Sequence, residues 1–306
     1  MLKYIVKRII ASAITIFIVI TFTFLLMHAI PGGPFTSEKK LPPEIQANLE
    51  AKYGLDKPLS QQYTTYLKNL AHGDLGLSMS ADGRSVNDVI GYAFPTSAKL
   101  GGVSVLFALA LGLIMGIQAA LHQGKWQDRL AMVIATLGVT VPSFVMATLL
   151  IYFFSVKLGW FPAIGFDGPI NYVLPVIALG GYSMAFIARL GRSSLLEVVR
   201  QDYIKVAKAK GLSAGKIIYK HALKNSLIPI VTYLGPLIAG ILTGSFVIES
   251  MFGIPGLGRE FVTSISNRDY TTILGVTVFY STFLVLCNLI VDILYVVIDP
   301  RIKLDA

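Results

Sequence analysis

Long apolar runs alternate with shorter polar segments along the 306-residue chain. A run of about 18 or more apolar residues with few charges is long enough to cross a bilayer as a helix. Six such runs are present, at residues 9–30, 100–121, 130–156, 172–188, 227–248 and 273–298. The pattern therefore predicts an all-α integral membrane protein with six transmembrane helices.

Some residues within these runs predict local geometry. Pro142 in the third run and Pro236 in the fifth predict kinks, because proline has no backbone donor. Gly180 and Gly181 in the fourth run predict close approach of a neighbouring helix. The first run follows basic residues, as a signal peptide does, but the apolar part of a signal peptide has only about 7–15 residues. An uncleaved first helix is therefore favoured.

Composition and charge agree with a membrane protein and add an orientation. Hydrophobic residues make up 54% of the chain and charged residues 14%, and the mean hydropathy is +0.68. The net charge of +9 raises the alternative of a nucleic-acid partner. However, one side of the predicted topology carries sixteen basic and five acidic residues, and the other side carries ten basic and eleven acidic residues. An excess of basic residues is typical of the cytoplasmic side, so both termini are predicted to be cytoplasmic. The topology accounts for the positive net charge, and a nucleic-acid partner is not needed to explain it.

Two polar segments carry their own patterns. Residues 31–93 form a predicted extracytoplasmic segment, with helices over 43–52 and 61–71. We interpret it as a small cap over the membrane core, with a plain spacer as the alternative. Residues 189–226 predict a helix, a turn at Gly211 and a second helix with Ser213 as N-cap. This cytoplasmic segment suits docking to a soluble partner, or lying on anionic lipid headgroups.

The cytoplasmic segment also carries recognisable motifs. DYIKVAKAKGL (residues 202–212) and HALKNSLIP (221–229) resemble the "EAA" loop of permease subunits of ABC importers, in the peptide-importer branch. Further motifs of that branch occur in order: PGGP (31–34), YGLDKP (53–58), GDLGLS (73–78), FGIPGLG (252–258), NRDY (267–270) and DPR (299–301). Over nearly its whole length the chain resembles the permease of a bacterial ABC-type oligopeptide importer, most closely the first of the pair.

The resemblance implies a type I ABC importer transmembrane fold. Its parts would be an N-terminal transmembrane helix (1–30), the extracytoplasmic segment (31–93), a five-helix core domain (94–298) containing the coupling loop (189–226), and a cytoplasmic tail (299–306). The implied partners are a second homologous permease, two cytoplasmic ATPases that bind ATP and Mg, an extracytoplasmic peptide-binding protein and the peptide substrate. The chain itself would bind no cofactor and would lie in the lipid bilayer of the bacterial cell membrane.

The resemblance also implies site residues. Those expected to couple to the ATPase are Asp202, Tyr203, Lys205, Ala207, Gly211 and Leu212. Those expected at the outer gate, near the binding protein, are Phe252, Pro255, Gly256 and Gly258. The chain departs from the family pattern where Lys205 and Val206 replace the usual Glu and first Ala, and where Lys224 replaces the closing Pro. A salt bridge to the ATPase would therefore use Lys205 in the opposite sense, or Asp202.

Polar residues of the later spans are candidates for the translocation path: Ser183, Thr232, Thr243, Ser245, Thr277, Tyr280 and Ser281. A structural role is the alternative, since hydroxyls in membrane helices also bond their own backbone. Asp292 is the one acid deep in a predicted span; a structural hydrogen bond is favoured over a proton relay or substrate contact. The scattered histidines lack the spacing of a metal site, and no metal is predicted.

Other functions are compatible with the same sequence features. The permease of a dipeptide, nickel or glutathione importer would share nearly every motif. A stand-alone membrane channel or an intramembrane enzyme belongs to a different class. An intramembrane protease needs a Ser/His, paired-Asp or metal constellation within the spans, and the sequence offers none. The chain has no Walker motif, so ATP hydrolysis is expected in separate subunits.

Overall fold

The structure is a computed structural model, and it describes residues 2–30, 33–35, 42–80, 83–242 and 245–298. The regular elements of this part are helices: α1 (Leu2–Ala29), α2 (Pro43–Tyr53), α3 (Leu59–Ala71), α4 (Val86–Leu121), α5 (Trp126–Thr140), α6 (Ser143–Leu150), α7 (Pro169–Val199), α8 (Asp202–Ala209), α9 (Ala214–Lys216), α10 (Leu223–Ser226), α11 (Ile228–Leu242), α12 (Phe246–Met251), α13 (Leu257–Ser266) and α14 (Tyr270–Ile298). Two π-helical stretches, Ile151–Lys157 and Ile217–Ala222, continue α6 and α9. The predicted all-α class is confirmed.

The described residues contain four helices that are long and apolar enough to cross a membrane: Ile5–Ala29, Val86–Leu121, Pro169–Val199 and Tyr270–Ile290. Two bent pairs meet the same criteria when each is counted as one span. Trp126–Thr140 and Ser143–Lys157 meet at 110°, and Ala214–Ser226 and Ile228–Leu242 meet at 45°. The described part therefore holds four to six spans, and the count of six stays a prediction.

The sharpest bend occurs at Pro142, as predicted. A residue before proline is driven towards extended backbone, and Val141, with φ −82° and ψ 121°, ends α5. Pro142 then precedes the first residue of α6. The result is a break between two helices that meet at 110°, the geometry of a broken span or of a re-entrant loop. By contrast, α11 runs on through Pro236 to Leu242, and the kink expected there stays a prediction.

The chain divides into two compact units, residues 1–97 with 255–306 and residues 98–254, and their boundary lies within α4. In the first unit, α1 and α13 pack against α14. Helices α2 and α3 form where the sequence predicts them. Tyr63 of α3 shares a 2.7 Å hydrogen bond with Thr21 of α1, and its ring lies 5.1 Å from that of Phe24. This packing favours a cap over a plain spacer.

In the second unit, α7 packs against α5, α6, α10 and α11. Small residues allow α4 and α7 to lie close together. A Cβ atom on Gly116 would lie 2.7 Å from the carbonyl oxygen of Ala188, and one on Gly180 would lie 2.8 Å from that of Ser104. The close approach predicted at Gly180 is therefore confirmed, whereas Gly181 faces open space.

Candidate functional site

Residues 189–226, the predicted coupling segment, contain α8, an amphipathic helix whose apolar face packs against its own chain. Ile204 is fully buried and Ala207 is 8% exposed. Both belong to an apolar cluster with Leu195, Ile217 and Ala222. Because residues three apart share one helical face, the small side chain of Ala207 lets α8 approach the π-helical stretch Ile217–Ala222 of the same chain.

A left-handed turn at Gly211 ends α8. The φ angle of Gly211 is +74°, which favours glycine because a Cβ atom would be strained there. The amide of Gly211 donates to the carbonyl of Lys208 at 3.0 Å, and that of Leu212 to the carbonyl of Ala207 at 3.3 Å. Ser213 takes the predicted N-cap position of α9, although its side chain makes no capping hydrogen bond. The predicted order of helix, glycine turn and helix is confirmed.

The outer face of α8 carries the residues expected to meet a partner. Lys205 Nζ lies 2.8 Å from Asp202 Oδ1, with side chains 68% and 91% exposed, respectively. So exposed an ion pair contributes little to stability. Lys205 occupies the position where the family pattern has Glu. The ion pair gives it an acidic neighbour, Asp202, one turn away on the same helix. Asn225 of α10 donates to the Tyr203 hydroxyl at 2.8 Å, which holds the start of α8 in place.

Aromatic and apolar side chains are also exposed on this segment. Tyr203 is 42% exposed, Val206 53% and Tyr219 69%. They stand among basic residues, at positions 205, 208, 210, 216 and 220. Aromatic residues are enriched where proteins meet, whereas lysines are depleted there. The exposed aromatic and apolar side chains of this face, and not the lysines around them, therefore resemble a contact surface.

An ion pair between the half-buried Arg192 and the buried Asp128, which the sequence did not predict, joins α5 to α7. Arg192 Nε donates to Asp128 Oδ1 at 2.6 Å and Arg192 Nη2 donates to Asp128 Oδ2 at 2.8 Å. The amide of Gly124 adds a third bond to Asp128 at 2.9 Å. This two-pronged geometry is the strong form of a carboxylate–guanidinium pair. It fixes α7 seven residues before its end at Val199, close to the start of α8.

A second missed acid, Asp269, joins two motifs of the first unit. Its carboxylate accepts hydrogen bonds from the Ser78 hydroxyl, from the amide of Met79 at 3.0 Å, and from the amide and hydroxyl of Thr272 at 3.0 and 2.9 Å. The amide and hydroxyl of Ser80 add bonds of 3.3 and 2.9 Å. Burial raises the pKa of Asp269, but the hydrogen bonds outweigh it and hold the pKa below its ordinary value. GDLGLS and NRDY therefore meet at one carboxylate.

The segment 252–258, expected at the outer gate, is mostly buried. In the second unit, Phe252 is 1% exposed and packs in a cluster that includes Leu100. In the first unit, Pro255 is half-buried, and Gly256 precedes α13, in whose first turn Gly258 is buried. The amide at position 257 donates to a buried serine hydroxyl at 2.8 Å. The gating role of these residues stays a prediction.

The candidate path residues have diverse surroundings. Ser183 is 5% exposed on α7, Ser245 caps α12 by accepting from an amide at 3.3 Å, and Thr277 donates to a carbonyl of its own helix at 2.7 Å. Thr232 makes the same kind of bond on α11, whereas Tyr280 is buried and Ser281 is half-buried on α14. Thr243 and the side chain of Asp292 lie outside the described residues. Three of the predicted residues, Ser245, Thr277 and Thr232, thus form hydrogen bonds within their own helices.

Another buried acid follows the predicted fifth span: Glu249 of α12 is fully buried. Glu249 directly follows the apolar run 227–248, and this nearness is the one feature of the sequence that could have indicated its burial. Across the part of the chain that the structure describes, no three His, Cys, Asp or Glu side chains converge as a metal site requires.

Comparison with known families and curated proteins gives full-length matches. The model for "Binding-protein-dependent transport system inner membrane component" matches residues 108–304, and the model for the N-terminal part of such components matches residues 1–109. The chain is 50% identical to the oligopeptide transport system permease protein OppB of Haemophilus influenzae, covering 99% of this chain and 100% of that one. It is 51% identical to the dipeptide transport system permease protein DppB of Bacillus subtilis, covering 99% of both.

Solved structures agree at the level of the fold. The MetNI methionine ABC transporter has a chain that matches with a TM-score of 0.54 at 18% identity, over 69% of this chain and 96% of that chain. An amino acid ABC transporter matches with a TM-score of 0.56 at 18% identity, over 68% and 93% of the two chains. At this identity the match concerns the fold alone, and it supports the predicted type I ABC importer transmembrane architecture.

Proposed function

The chain belongs to the family of binding-protein-dependent transport system inner membrane components, and we propose that it forms, with a second permease, the translocation path for oligopeptides in an ATP-driven bacterial importer. The observation that carries the proposal is the 50% identity to an oligopeptide permease along 99% of the chain. The chain is an integral inner membrane protein, as its family and its apolar helices indicate.

The substrate class has a second candidate. A dipeptide permease is 51% identical to this chain, as similar as the oligopeptide permease at 50%. Identity therefore does not separate the two classes. Nickel and glutathione, the other candidate substrates, can be tested in the same uptake experiment.

The proposed power source lies outside the chain. Two cytoplasmic ATPases bind ATP and Mg, and the coupling segment docks on one of them through its outer face. The exposed side chains of Tyr203, Val206 and Tyr219 supply the contact surface, with Asp202 and Lys205 as its charged groups. The apolar face of α8 keeps the segment attached to its own chain, so movement of the ATPase is transmitted to α7 and α11.

The proposed path lies between this chain and the second permease. An extracytoplasmic binding protein delivers peptide near the segment 252–258, and Ser183, Thr243, Ser245 and Thr277 line the route. Both termini lie in the cytoplasm in this scheme. A reporter enzyme that works only in the cytoplasm should then be active when it is fused to either terminus. A reporter that works only outside the cytoplasm should be inactive at both termini.

The turn at Gly211 provides a direct test of the coupling. Gly211→Val forces a β-branched residue into the left-handed region, at a cost of about 1–2 kcal/mol or more. Gly215→Val is the matched control, because Gly215 lies in α9 with open space and no positive φ. In a strain lacking its own copy, we expect uptake of labelled peptide to fall at least about tenfold for Gly211→Val, and to stay near wild type for Gly215→Val.

The same strain identifies the substrate. Uptake of labelled dipeptides, tripeptides, pentapeptides, glutathione and nickel is compared with and without the gene. Loss of pentapeptide uptake supports the main proposal, and loss of dipeptide uptake alone supports the second candidate. Full uptake by Gly211→Val, in membranes containing the normal amount of protein, would contradict the coupling role. Purification without any attached ATPase would contradict the importer itself.

A further inference from the structure

The exposed face of α7 differs from that of α5 in the kind of side chain that it presents. Between residues 171 and 190, all of which the structure describes, Tyr182 and Arg189 are the two exposed residues. They are seven positions apart, which is close to two full turns, so they lie on one face of the helix. The exposed residues of α5 are mostly apolar, among them Leu130, Val133 and Leu137. The face of α7 is therefore polar within an apolar run, whereas lipid tails favour an apolar face.

The guanidinium of Arg189 has no acidic partner among the described residues. One turn further along α7, Arg192 is paired with the buried Asp128 through hydrogen bonds of 2.6 and 2.8 Å. The carboxylate that α5 offers to α7 is thus already engaged. A cation at a membrane-spanning segment almost always faces the interior of a helix bundle or a water-filled cavity, and it pairs with an opposite charge there. Arg189 therefore calls for an anion from outside this chain.

The direction of the Arg189 side chain favours an anion within the membrane region over a lipid phosphate at its surface. The Cα–Cβ bonds of an α-helix are tilted towards the N-terminus of the helix. On α7 that direction leads back into the apolar run 172–188, which ends just before Arg189. An arginine that reaches lipid headgroups must extend away from the apolar run, and the side chain of Arg189 starts in the opposite direction.

Aromatic rings lie between and beside these two exposed residues. Phe186 is one turn from each of them and is half-buried, and its ring lies 4.4 Å from that of Tyr233 on α11. Tyr182 is 50% exposed, and its hydroxyl has no hydrogen-bond partner among the described residues. Because a hydroxyl among apolar groups is unfavourable unless it is hydrogen-bonded, Tyr182 also needs a polar partner from outside this chain.

The spacing of Tyr182 and Arg189 along α7 matches a short stretch of extended peptide. Seven positions at 1.5 Å each separate the two residues by about 10.5 Å. An extended chain covers about 3.3–3.6 Å per residue, so three residues span the same distance. An unblocked peptide ends in a carboxylate whatever its sequence, and arginine binds a carboxylate through two parallel hydrogen bonds. This face therefore suits groups that all peptides share, and it does not select one side chain.

We propose that the exposed face of α7 binds the transported peptide, with Arg189 holding its C-terminal carboxylate and the Tyr182 hydroxyl bonding its backbone about three residues earlier. Phe186 and Tyr233 form the aromatic floor between these two contacts. The inference rests on the proposed transport of peptides and adds the residues that contact the substrate. A lipid phosphate or an acidic side chain of the second permease would also match the charge of Arg189, and the experiment below separates these occupants from a peptide.

The test uses the full chain, purified with its attached subunits in nanodiscs, and a tripeptide whose last residue carries a photoreactive diazirine. The tripeptide is made in two forms, one with a free C-terminal carboxylate and one with a C-terminal amide. After illumination, the labelled residues of the chain are identified by mass spectrometry. We expect the form with the free carboxylate to label residues 182–193 of α7. The amide should label them about tenfold less or weaker still, because it lacks the charged hydrogen bonds to Arg189.

Variants then locate the carboxylate site. Arg189→Gln should abolish the preference for the free carboxylate and lower tripeptide uptake in cells about tenfold, whereas Arg189→Lys keeps the charge and should retain part of both. Lys125→Gln is the matched control, because Lys125 is an exposed base on the same predicted side of the membrane.

Tyr182 is tested in the same way. Tyr182→Leu should lower labelling about two- to tenfold, as expected for the loss of a neutral hydrogen bond, and it should leave the preference for the carboxylate intact. Tyr152→Leu, at a tyrosine that is 46% exposed, should change neither quantity.

Three outcomes would overturn the proposal. Equal labelling of α7 by the carboxylate and the amide would mean that this face does not bind the peptide terminus. Normal uptake and labelling with Arg189→Gln would assign the arginine to lipid, and loss of the second permease from the purified Arg189→Gln complex would assign it to an ion pair between the permeases. Each of these outcomes concerns a protein that transports peptides, whereas the absence of any peptide uptake by the wild type would contradict the proposed function itself.

Discussion

Replacement of Asp269 tests how the segment after α3 is held to the start of α14. The carboxylate is 1% exposed and accepts hydrogen bonds from four residues, at positions 78, 79, 80 and 272. Two replacements of different character separate the loss of the acceptors from the loss of the charge. Asp269→Ala removes every acceptor, and Asp269→Asn keeps one oxygen and adds a donor.

The magnitude for Asp269→Ala follows from the burial of the donors left behind. Ser78 and Thr272 are 2% and 3% exposed, so water does not reach their hydroxyls or the Thr272 amide. Ser80 is exposed and is satisfied by solvent. A buried donor left without a partner costs about 1–3 kcal/mol. Because the hydroxyls can turn towards other acceptors, we expect a total loss of roughly 3 kcal/mol.

Asp269→Asn should be much milder. Its remaining oxygen can accept from the amides of Met79 and Thr272, which bond the same carboxylate oxygen in the native protein. Its new amide group then faces the hydroxyls of Ser78 and Thr272, and a hydroxyl can accept as readily as it donates. Only the Ser80 amide, at 3.3 Å, meets another donor, and solvent is available to it. We expect a loss of about 1 kcal/mol.

The assay is denaturant unfolding of the purified chain in detergent, with limited proteolysis of the segment 73–85 and peptide uptake in cells. Asp56→Ala, at an exposed acid of the same unit, serves as control. We expect the wild type to be the most stable, Asp269→Asn to be less stable and Asp269→Ala to be the least stable. Proteolysis of the segment should increase in the same order. If the asparagine variant were as unstable as the alanine variant, the charge rather than the donor geometry would hold the segment. If the alanine variant matched wild type, the reasoning would fail.

Three further predictions concern charge and packing. Because the pKa of Asp269 lies below its ordinary 3.8, its carboxylate stabilises the fold above that value and loses the contribution as pH falls through the lowered pKa. Unfolding midpoints of wild type and Asp269→Asn should therefore converge below about pH 4. Arg192→Met removes the guanidinium partner of the buried Asp128, although the amide of Gly124 still donates to it, and should cost about 1–3 kcal/mol, with at least half recovered in the double variant Asp128→Leu/Arg192→Met, as a double-mutant cycle would show. Gly116→Ala should lose about 1–3 kcal/mol in unfolding experiments, because its Cβ atom would meet backbone at 2.7 Å, whereas Gly102→Ala, in open space on the same helix, should be neutral or slightly stabilising.

Local patterns in the sequence predicted the helices well. Apolar runs and capping residues act over a few positions, so α1, α8 and the turn at Gly211 follow from the chain itself. Pro142 likewise predicted a disturbance, because proline affects its immediate neighbours. The angle of 110° did not follow, since packing of the two helices against α7 sets it. Local chemistry thus gives the place of a bend but not its size.

Contacts between distant residues escaped the sequence analysis. Asp128 and Arg192 are 64 positions apart, and Asp269 and Ser78 are 191 apart. In the sequence, Asp128 was one of a few acids on the basic side that is predicted to be cytoplasmic, and nothing in its neighbours indicated burial. Asp269 had a weak signal, because it and Ser78 both lie within motifs of the resemblance. The motifs alone gave no reason to pair them, since their meeting depends on how α14 packs in the first unit.

The position of α8 helps to decide whether the coupling segment contacts a soluble protein or the lipid headgroups of the membrane. An amphipathic helix lying on a membrane must bury its apolar face among lipid acyl chains. In this chain Ile204 and Ala207, the apolar face of α8, are already covered by the chain's own cluster. The face that remains is a mixture of bases with Tyr203 and Val206, and one of its bases, Lys205, is paired with an acid of the same helix. Such a face has too little continuous apolar surface to enter a bilayer, and it has aromatic groups suited to a protein groove. Docking to a soluble partner is therefore favoured over lipid contact.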